Sequence, residues 1–209
     1  GKDVVVTLES VIGGVNGVGR GWQMLMECLS AGRAISLPAQ STGGTLRCLR
    51  VASAYANIRR QFNIEIGKFE GIREPLSRVA GTAYLIEAMR TYTVGAVDSG
   101  LKPAVVSAIA KLQTTELARK CVFDVMDILG GAGISRGPRN NIANGYIATP
   151  IAITVEGANI LTRTMIVFGQ GAIRCHPFAY REVKAVNNND LVEFDAAFFG
   201  HIGFVIKNI

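Results

Sequence analysis

Histidine is nearly absent: His176 and His201 are the only two. That leaves few ligands for a zinc site and few bases for a nucleophilic triad, so no metal is expected. The four cysteines, Cys28, Cys48, Cys121 and Cys175, are widely spaced and form no Cys-x-x-Cys. They read as buried, reduced thiols rather than a metal clamp or a disulfide frame. No apolar run reaches the roughly 18–20 residues of a membrane span. No targeting segment is read at Gly1-Lys2-Asp3. Charge is sparse too, at 18% of 209 residues, against 49% hydrophobic. At this length roughly 70% of the unfolded surface can be buried. The composition therefore predicts a globular chain with a large core or a large interface, with no metal or disulfide staple.

What charge there is has a sign. The net charge is +6, from 22 Lys and Arg against 16 Asp and Glu, and Arg47, Arg50, Arg59 and Arg60 fall along one segment. Nucleic acid is one reading, but no aromatic residues interleave and no binding motif is present. The phosphates of a small ligand fit equally well, and so does a solvated cationic helix face. The glycine-rich stretch Val11–Trp22 lacks both Gly-Lys-Ser/Thr and Gly-x-Gly-x-x-Gly, so it reads as a turn into a helix rather than a phosphate loop.

In chain order, Val4–Leu8 is β-branched and weakly alternating, which predicts a short strand. Trp22, Leu25, Met26 and Leu29 recur at helical spacing from about Gly21. A break is expected at Ser30-Ala31-Gly32, then a long helix from about Arg33 to Phe62, with Pro38 tolerable only in its first turns. A further helix is expected over 64–96, kinked or begun at Pro75, with a stripe of Leu76, Val79, Ala83, Ile86 and Met89. Val97–Pro103 is the clearest stop and restart: Gly100 ends one helix and Pro103 opens the next. That helix carries Val106, Ile109, Cys121, Val125 and Ile128 and ends at Gly130-Gly131. A polar loop over 134–144 leads onward to a last helix from about Ala158. Three or four long antiparallel helices with short links make an all-α, up-and-down bundle. After His176-Pro177 the character changes: Asn187–Asp190 reads as a cap, and Leu191, Phe194, Phe198, Ile202, Val205 and Ile209 form an apolar stripe. Both ends look cut, so a piece of a longer chain is expected.

One stretch carries the chemistry. Glu156 is the only charged residue from Ile142 to Thr162. Pro150 and the β-branched run Ile151–Val155 lead into it as a strand, and Gly157 and a helix come after it. A lone acid at such a junction can lose water and become a base. It can equally be a helix-start acid that complements the macrodipole.

Four motifs then stand in order: Arg59–Phe62 at a helix end, Val97–Gly100, Ile128–Gly133 and Val155–Leu161. Their order and spacing resemble the C-terminal helical domain of the acyl-CoA dehydrogenases over roughly residues 11–174. Gly169–Pro177 and the residues C-terminal to it look like the larger bacterial long-chain branch. The resemblance implies residues 1–20 as the end of a middle β-domain, 21–176 as the helical bundle and 177–209 as the start of an additional C-terminal region. It implies FAD, α,β-dehydrogenation of a fatty acyl-CoA to the trans-2-enoyl-CoA, and Glu156 as proton acceptor. That chemistry wants an isolated carboxylate in a dry pocket. Arg33, Ser30 and Gly157 are implied on the substrate side. Arg59 and Phe62, with the backbone of Gly130 and Gly131 reaching in from a neighbouring subunit, are implied at the cofactor's pyrophosphate. Asp127 stands there in place of a common Gln, and Ala158 and Ile160 stand where Thr and Gln are frequent. An electron-transfer flavoprotein as acceptor, a homo-oligomer (dimer or tetramer) and a cytoplasmic location, with or without contact at the inner membrane surface, belong to the same implication.

Rival readings are an acyl-CoA oxidase of the same chemistry, a non-catalytic oligomerisation or scaffold bundle, and a basic nucleic-acid-binding domain. The terminal stripe is open to packing on another domain, a neighbouring subunit or a lipid surface; its modest length and single lysine favour protein packing. For the nucleic-acid reading the outcome expected is negative. The chain should not retard DNA or RNA in a gel, whereas retardation that fades steeply with salt would favour that reading.

Overall fold

The computed structural model describes residues 1–209, which divide into two compact units, residues 1–156 and 157–209. The first is the helical bundle. Two single 3-10 turns (Leu8–Ser10 and Val15–Gly17) precede α1 (Gly21–Ile58), which runs unbroken for 38 residues, about 57 Å at the α-helical rise. A hairpin of β1 (Arg60–Gln61) and β2 (Ile64–Glu65) turns the chain into α2 (Glu70–Asp98), and α3 (Ala104–Leu129) comes next. Ala34 meets Thr93, while Cys48 and Ala52 share a cluster with Val79, so α1 and α2 are antiparallel. One turn of α4 (Gly131–Ile134) leads to α5 (Ala143–Thr154). Lys111 meets Ile153, and Phe123 meets Tyr146 edge-on at 5.2 Å, so α5 runs back along α3.

Several expectations are corrected. Val4–Leu8 forms no strand: it is exposed, with no ladder beside it to satisfy its backbone. Extended β-branched residues need a paired neighbour more than they need propensity. No break occurs at Ser30–Gly32, because small residues lower helix stability without ending a helix. Residues 64–69 are the hairpin and a 3-10 turn rather than the start of α2, and Pro75 lies in its second turn. Ile151–Val155 is not a strand: Ile151–Thr154 closes α5, despite Pro150, and the polar loop ends before Ala143. Gly100 takes a left-handed φ of 75° at the end of α2 as expected, but Pro103 caps α3 from just outside it.

Pro38 sits near the middle of α1 and is buried. Proline has no N–H, so the carbonyl four residues earlier, Ala34, loses its helical partner. Ala34 is itself fully buried, and an unpaired carbonyl there is costly. The buried Thr93 of α2 fills the gap: its hydroxyl donates to the Ala34 oxygen at 2.7 Å. A hydroxyl on a neighbouring helix thus lets α1 pass through a proline without a break.

The core has two halves. Toward the C-terminal ends of α1 and α3 it is apolar, with Cys48, Ala52, Val79, Cys121, Val125, Ile128, Leu129 and Ile142. Toward their N-terminal halves and the middle of α1 it is polar: Ser30, Arg33, Thr42, Thr45, Ser107, Lys111, Thr114 and Thr115 are all buried. Val106 and Ile109, expected in the core, face outward at 36% and 39% exposure, and Ser107 and Lys111 take their place. The loop before α5 is held by Asn140. Its amide donates to the carbonyls of Gly133 and Ser135, and its Oδ1 accepts from the N–H groups of Ile142 and Ala143 at 2.9 Å each.

The second unit begins with α6 (Asn159–Ile166), a π turn over Val167–Ala172 that contains Gly169 and Gly171, and α7 (Ile173–Cys175). Then α8 (Ala179–Asn187) packs on α9 (Leu191–Lys207). Asp190 caps α9 by accepting from the Glu193 N–H at 3.0 Å, as the sequence predicts. The ring of His176 accepts from the N–H groups of Phe178 and Ala179, and His201 Nδ1 lies 2.8 Å from the Glu182 carboxylate. Of the predicted α9 stripe, Leu191, Phe198, Ile202 and Val205 remain exposed.

Thr93→Val keeps the shape of the side chain and removes only the donor to Ala34. It should lower the unfolding free energy in urea by about 1–3 kcal/mol, the usual penalty for a buried group left unpaired. A change within about 0.5 kcal/mol of zero would show that Pro38 needs no such partner.

Candidate active site

Glu156 comes directly after α5, with φ 53°, and Gly157 after it has φ 87°. Two successive residues thus reverse the handedness of the backbone after Val155. For a glutamate this conformation costs on the order of 1 kcal/mol or more; for glycine it is nearly free. The reversal turns the Glu156 carboxylate onto α1. Ser36 Oγ lies 3.2 and 3.4 Å from its two oxygens. The same hydroxyl lies 2.8 Å from the Gly32 carbonyl, so its single proton serves the backbone or the carboxylate. Gly32 faces the carboxylate too: a Cβ there would make ordinary contact, 3.9 Å from Glu156 Oε2.

The acid is isolated in sequence but not in space. Arg33 on α1 and Lys111 on α3 both act on it electrostatically. Arg33 is 7% exposed, and its buried Nε has no hydrogen-bond partner. Burial pushes its guanidinium below the usual arginine range, and the Glu156 charge opposes that shift. Lys111 is 0% exposed, and its Nζ donates to the Ile153 carbonyl at 3.1 Å, in the last turn of α5. Burial, with the positive charge of Arg33 adding to it, pulls its pKa down to about 8; Glu156 and Glu116 oppose the shift. The dry pocket expected around Glu156 is not closed within this chain: Glu156 is half-buried and Ser36 is exposed.

Of the residues singled out from sequence, Arg33 lies beside Glu156. Ser30 is buried one turn earlier on α1, its hydroxyl donating to the Glu27 carbonyl. Arg59, Phe62, Asp127, Gly130 and Gly131 are not brought to Glu156. Arg59 caps the far end of α1, about 40 Å from Arg33 along the helix. There its side chain is exposed, and Phe62 projects from the hairpin with 88% exposure. Gly130, with φ 55°, ends α3, and Gly131 opens α4; a Cβ on either would meet open space. Asp127 is exposed one turn earlier on α3. An exposed guanidinium and two glycine backbones at one end of the bundle fit a diphosphate; Asp127, an anion, does not add to that fit.

Ser36 and Lys111 were missed in the sequence. Ser36 lies one turn after Arg33 and so on the same helix face. Lys111 lies four residues from both Ser107 and Thr115, on a buried polar stripe that a search for apolar residues passes over.

Residues 19–169 match the profile of the acyl-CoA dehydrogenase C-terminal domain. The chain belongs to the acyl-CoA dehydrogenase family. Residues 173–209 match the bacterial type of acyl-CoA dehydrogenase C-terminal region. A protein named "Probable acyl-CoA dehydrogenase" from Mycobacterium tuberculosis is 28% identical over 199 residues, covering 90% of this chain and 30% of that protein. The solved butyryl-CoA dehydrogenase of Megasphaera elsdenii superposes with a TM-score of 0.64 at 27% identity, covering 75% of this chain and 39% of that one. An acyl-CoA dehydrogenase of Bacillus anthracis, solved in complex with FAD, superposes with a TM-score of 0.67 at 24% identity, covering 81% of this chain and 32% of that one. The chain thus spans under a third of the length of the curated relatives it matches. The all-α bundle fold expected for this family is the fold observed.

Gly157→Ala places a Cβ in the left-handed region. It should destabilise the chain by about 1 kcal/mol or more in thermal or urea unfolding. A stabilised variant would show that the reversal after Glu156 relaxes freely.

Proposed function

We propose that the chain supplies the proton acceptor and part of the cofactor site of an FAD-dependent acyl-CoA dehydrogenase. One observation carries this reading: Glu156 is held by two left-handed residues against α1, with Ser36 in contact and Arg33 and Lys111 beside it. A glutamate held in so costly a conformation is over-determined by its surroundings, and such strain gathers at functional sites.

In this reading the substrate is a fatty acyl-CoA thioester. Glu156 takes the α-carbon proton, the Cα–Cβ double bond forms, and the β-hydrogen leaves with its electron pair. FAD, when bound, accepts that hydride. Ser36 holds the orientation of the carboxylate, and Gly157, without a side chain, lets the thioester approach the backbone closely. Arg33 lies on the substrate side with its Nε still to be satisfied. Arg59 and the Gly130-Gly131 backbone would hold the FAD pyrophosphate. They lie at the opposite end of the bundle from Glu156, which suits a site completed by a second copy of the chain. The half-open pocket around Glu156 suits closure by the further length that the relatives have. Electron-transfer flavoprotein as acceptor and a cytoplasmic location, with or without contact at the inner membrane surface, belong to the same proposal.

The test uses the flavin-loaded protein of family length that carries this segment, mixed anaerobically with a long-chain acyl-CoA. The wild type should bleach in the visible spectrum. Glu156→Gln should keep its flavin and lose bleaching by at least about a hundredfold, the usual share of a general base. Substantial bleaching in Glu156→Gln would show that the proton goes elsewhere.

A further inference from the structure

Lys111 is the one fully buried cation of the bundle, and the proposed reaction gives it no step of its own. It does not sit at random. Its ammonium reaches across from α3 to the Ile153 carbonyl, three residues before Glu156. That carbonyl belongs to the last turn of α5, where helical carbonyls lack partners of their own. The turn it holds is the one from which the chain reverses into the left-handed pair. The charged groups that act on Lys111 are Arg33 from α1, Glu156 after α5, and Glu116 on its own helix. Two cations and two carboxylates thus act on one another at the polar end of the bundle, where Ser107, Thr114 and Thr115 are also buried. Burying a lysine is expensive unless its charge is answered, and a plain hydrophobic residue would fill the position at lower cost.

We propose that Lys111 is a positioning residue for Glu156: its ammonium pins the last turn of α5 through the Ile153 carbonyl and, with Arg33, sets a positive field on the carboxylate. This rests on the reading of Glu156 as the proton acceptor. Lys111 is charged below a pKa of about 8, so removing it should cost activity below that pH and progressively less above it. Above that pH the wild type loses the same field, and wild type and variant should converge.

The experiment measures anaerobic flavin reduction by a long-chain acyl-CoA between pH 6 and pH 9.5, in the flavin-loaded protein of family length. Lys111→Met removes both the charge and the donor. Lys111→Gln removes the charge but keeps a donor for the Ile153 carbonyl, and it carries the test if the methionine variant folds poorly. Both are expected to retain flavin, to be about tenfold slower than wild type near pH 6.5, and to approach the wild-type rate by pH 9.5. A loss of the same size at every pH, or no loss, would overturn the proposal and leave Lys111 a packing residue. Glu156→Gln measured alongside separates the two readings. If that variant still reduces its flavin, the proton-acceptor reading has failed. If it is inactive while the lysine variants show no pH-dependent loss, only the role of Lys111 has failed.

Discussion

Glu156 can face α1 only because the chain reverses its handedness for two residues after α5. Everything near the candidate site depends on that reversal. It follows an extended Val155 that ends α5, aims a carboxylate at Ser36, and leaves Gly157 where a side chain would be strained. Lys111 bonds the Ile153 carbonyl just before the reversal, and Ser36 meets the carboxylate from α1. None of these contacts is strong alone. Together they fix a conformation that an isolated glutamate would seldom adopt.

The bundle supports this arrangement by dividing its labour along its length. The end near Gly130 is a tight apolar cluster, whose burial supplies most of the stabilisation. The end near Glu156 is built from serine, threonine, arginine and lysine, whose burial is neutral or unfavourable unless every group finds a partner. Thr93 answers the one carbonyl that Pro38 leaves open, while Arg33 Nε and the Thr42 hydroxyl are buried without a hydrogen-bond partner. A polar end so arranged is hard to explain by packing alone and easy to explain by a carboxylate that must be held and surrounded by charge.

Much of this was legible in the sequence, and the failures share a cause. The helix stop at Gly100, the end of α3 at Gly130 and the Asp190 cap were readable because glycine and cap chemistry act locally. The family was readable from four motifs in order. The strands expected at Val4–Leu8 and Ile151–Val155 failed because β-branching expresses a preference that context decides. One segment has no partner strand, and the other is carried as helix by packing on α3. The break expected at Ser30–Gly32 failed because a long helix propagates through small residues. Lys111 and Ser36 were invisible for a different reason. Their roles depend on contacts across 42 and 120 positions of chain, which no local pattern encodes.

The most direct test of the account is to follow the hydrogen on the acyl α-carbon itself. The flavin-loaded protein of family length is incubated in D2O with a saturated acyl-CoA, and mass spectrometry reads deuterium entering at that carbon. The account predicts exchange in the wild type and none above the uncatalysed background in Glu156→Gln. Exchange at the wild-type rate in that variant would contradict it, because another group would then be moving the proton.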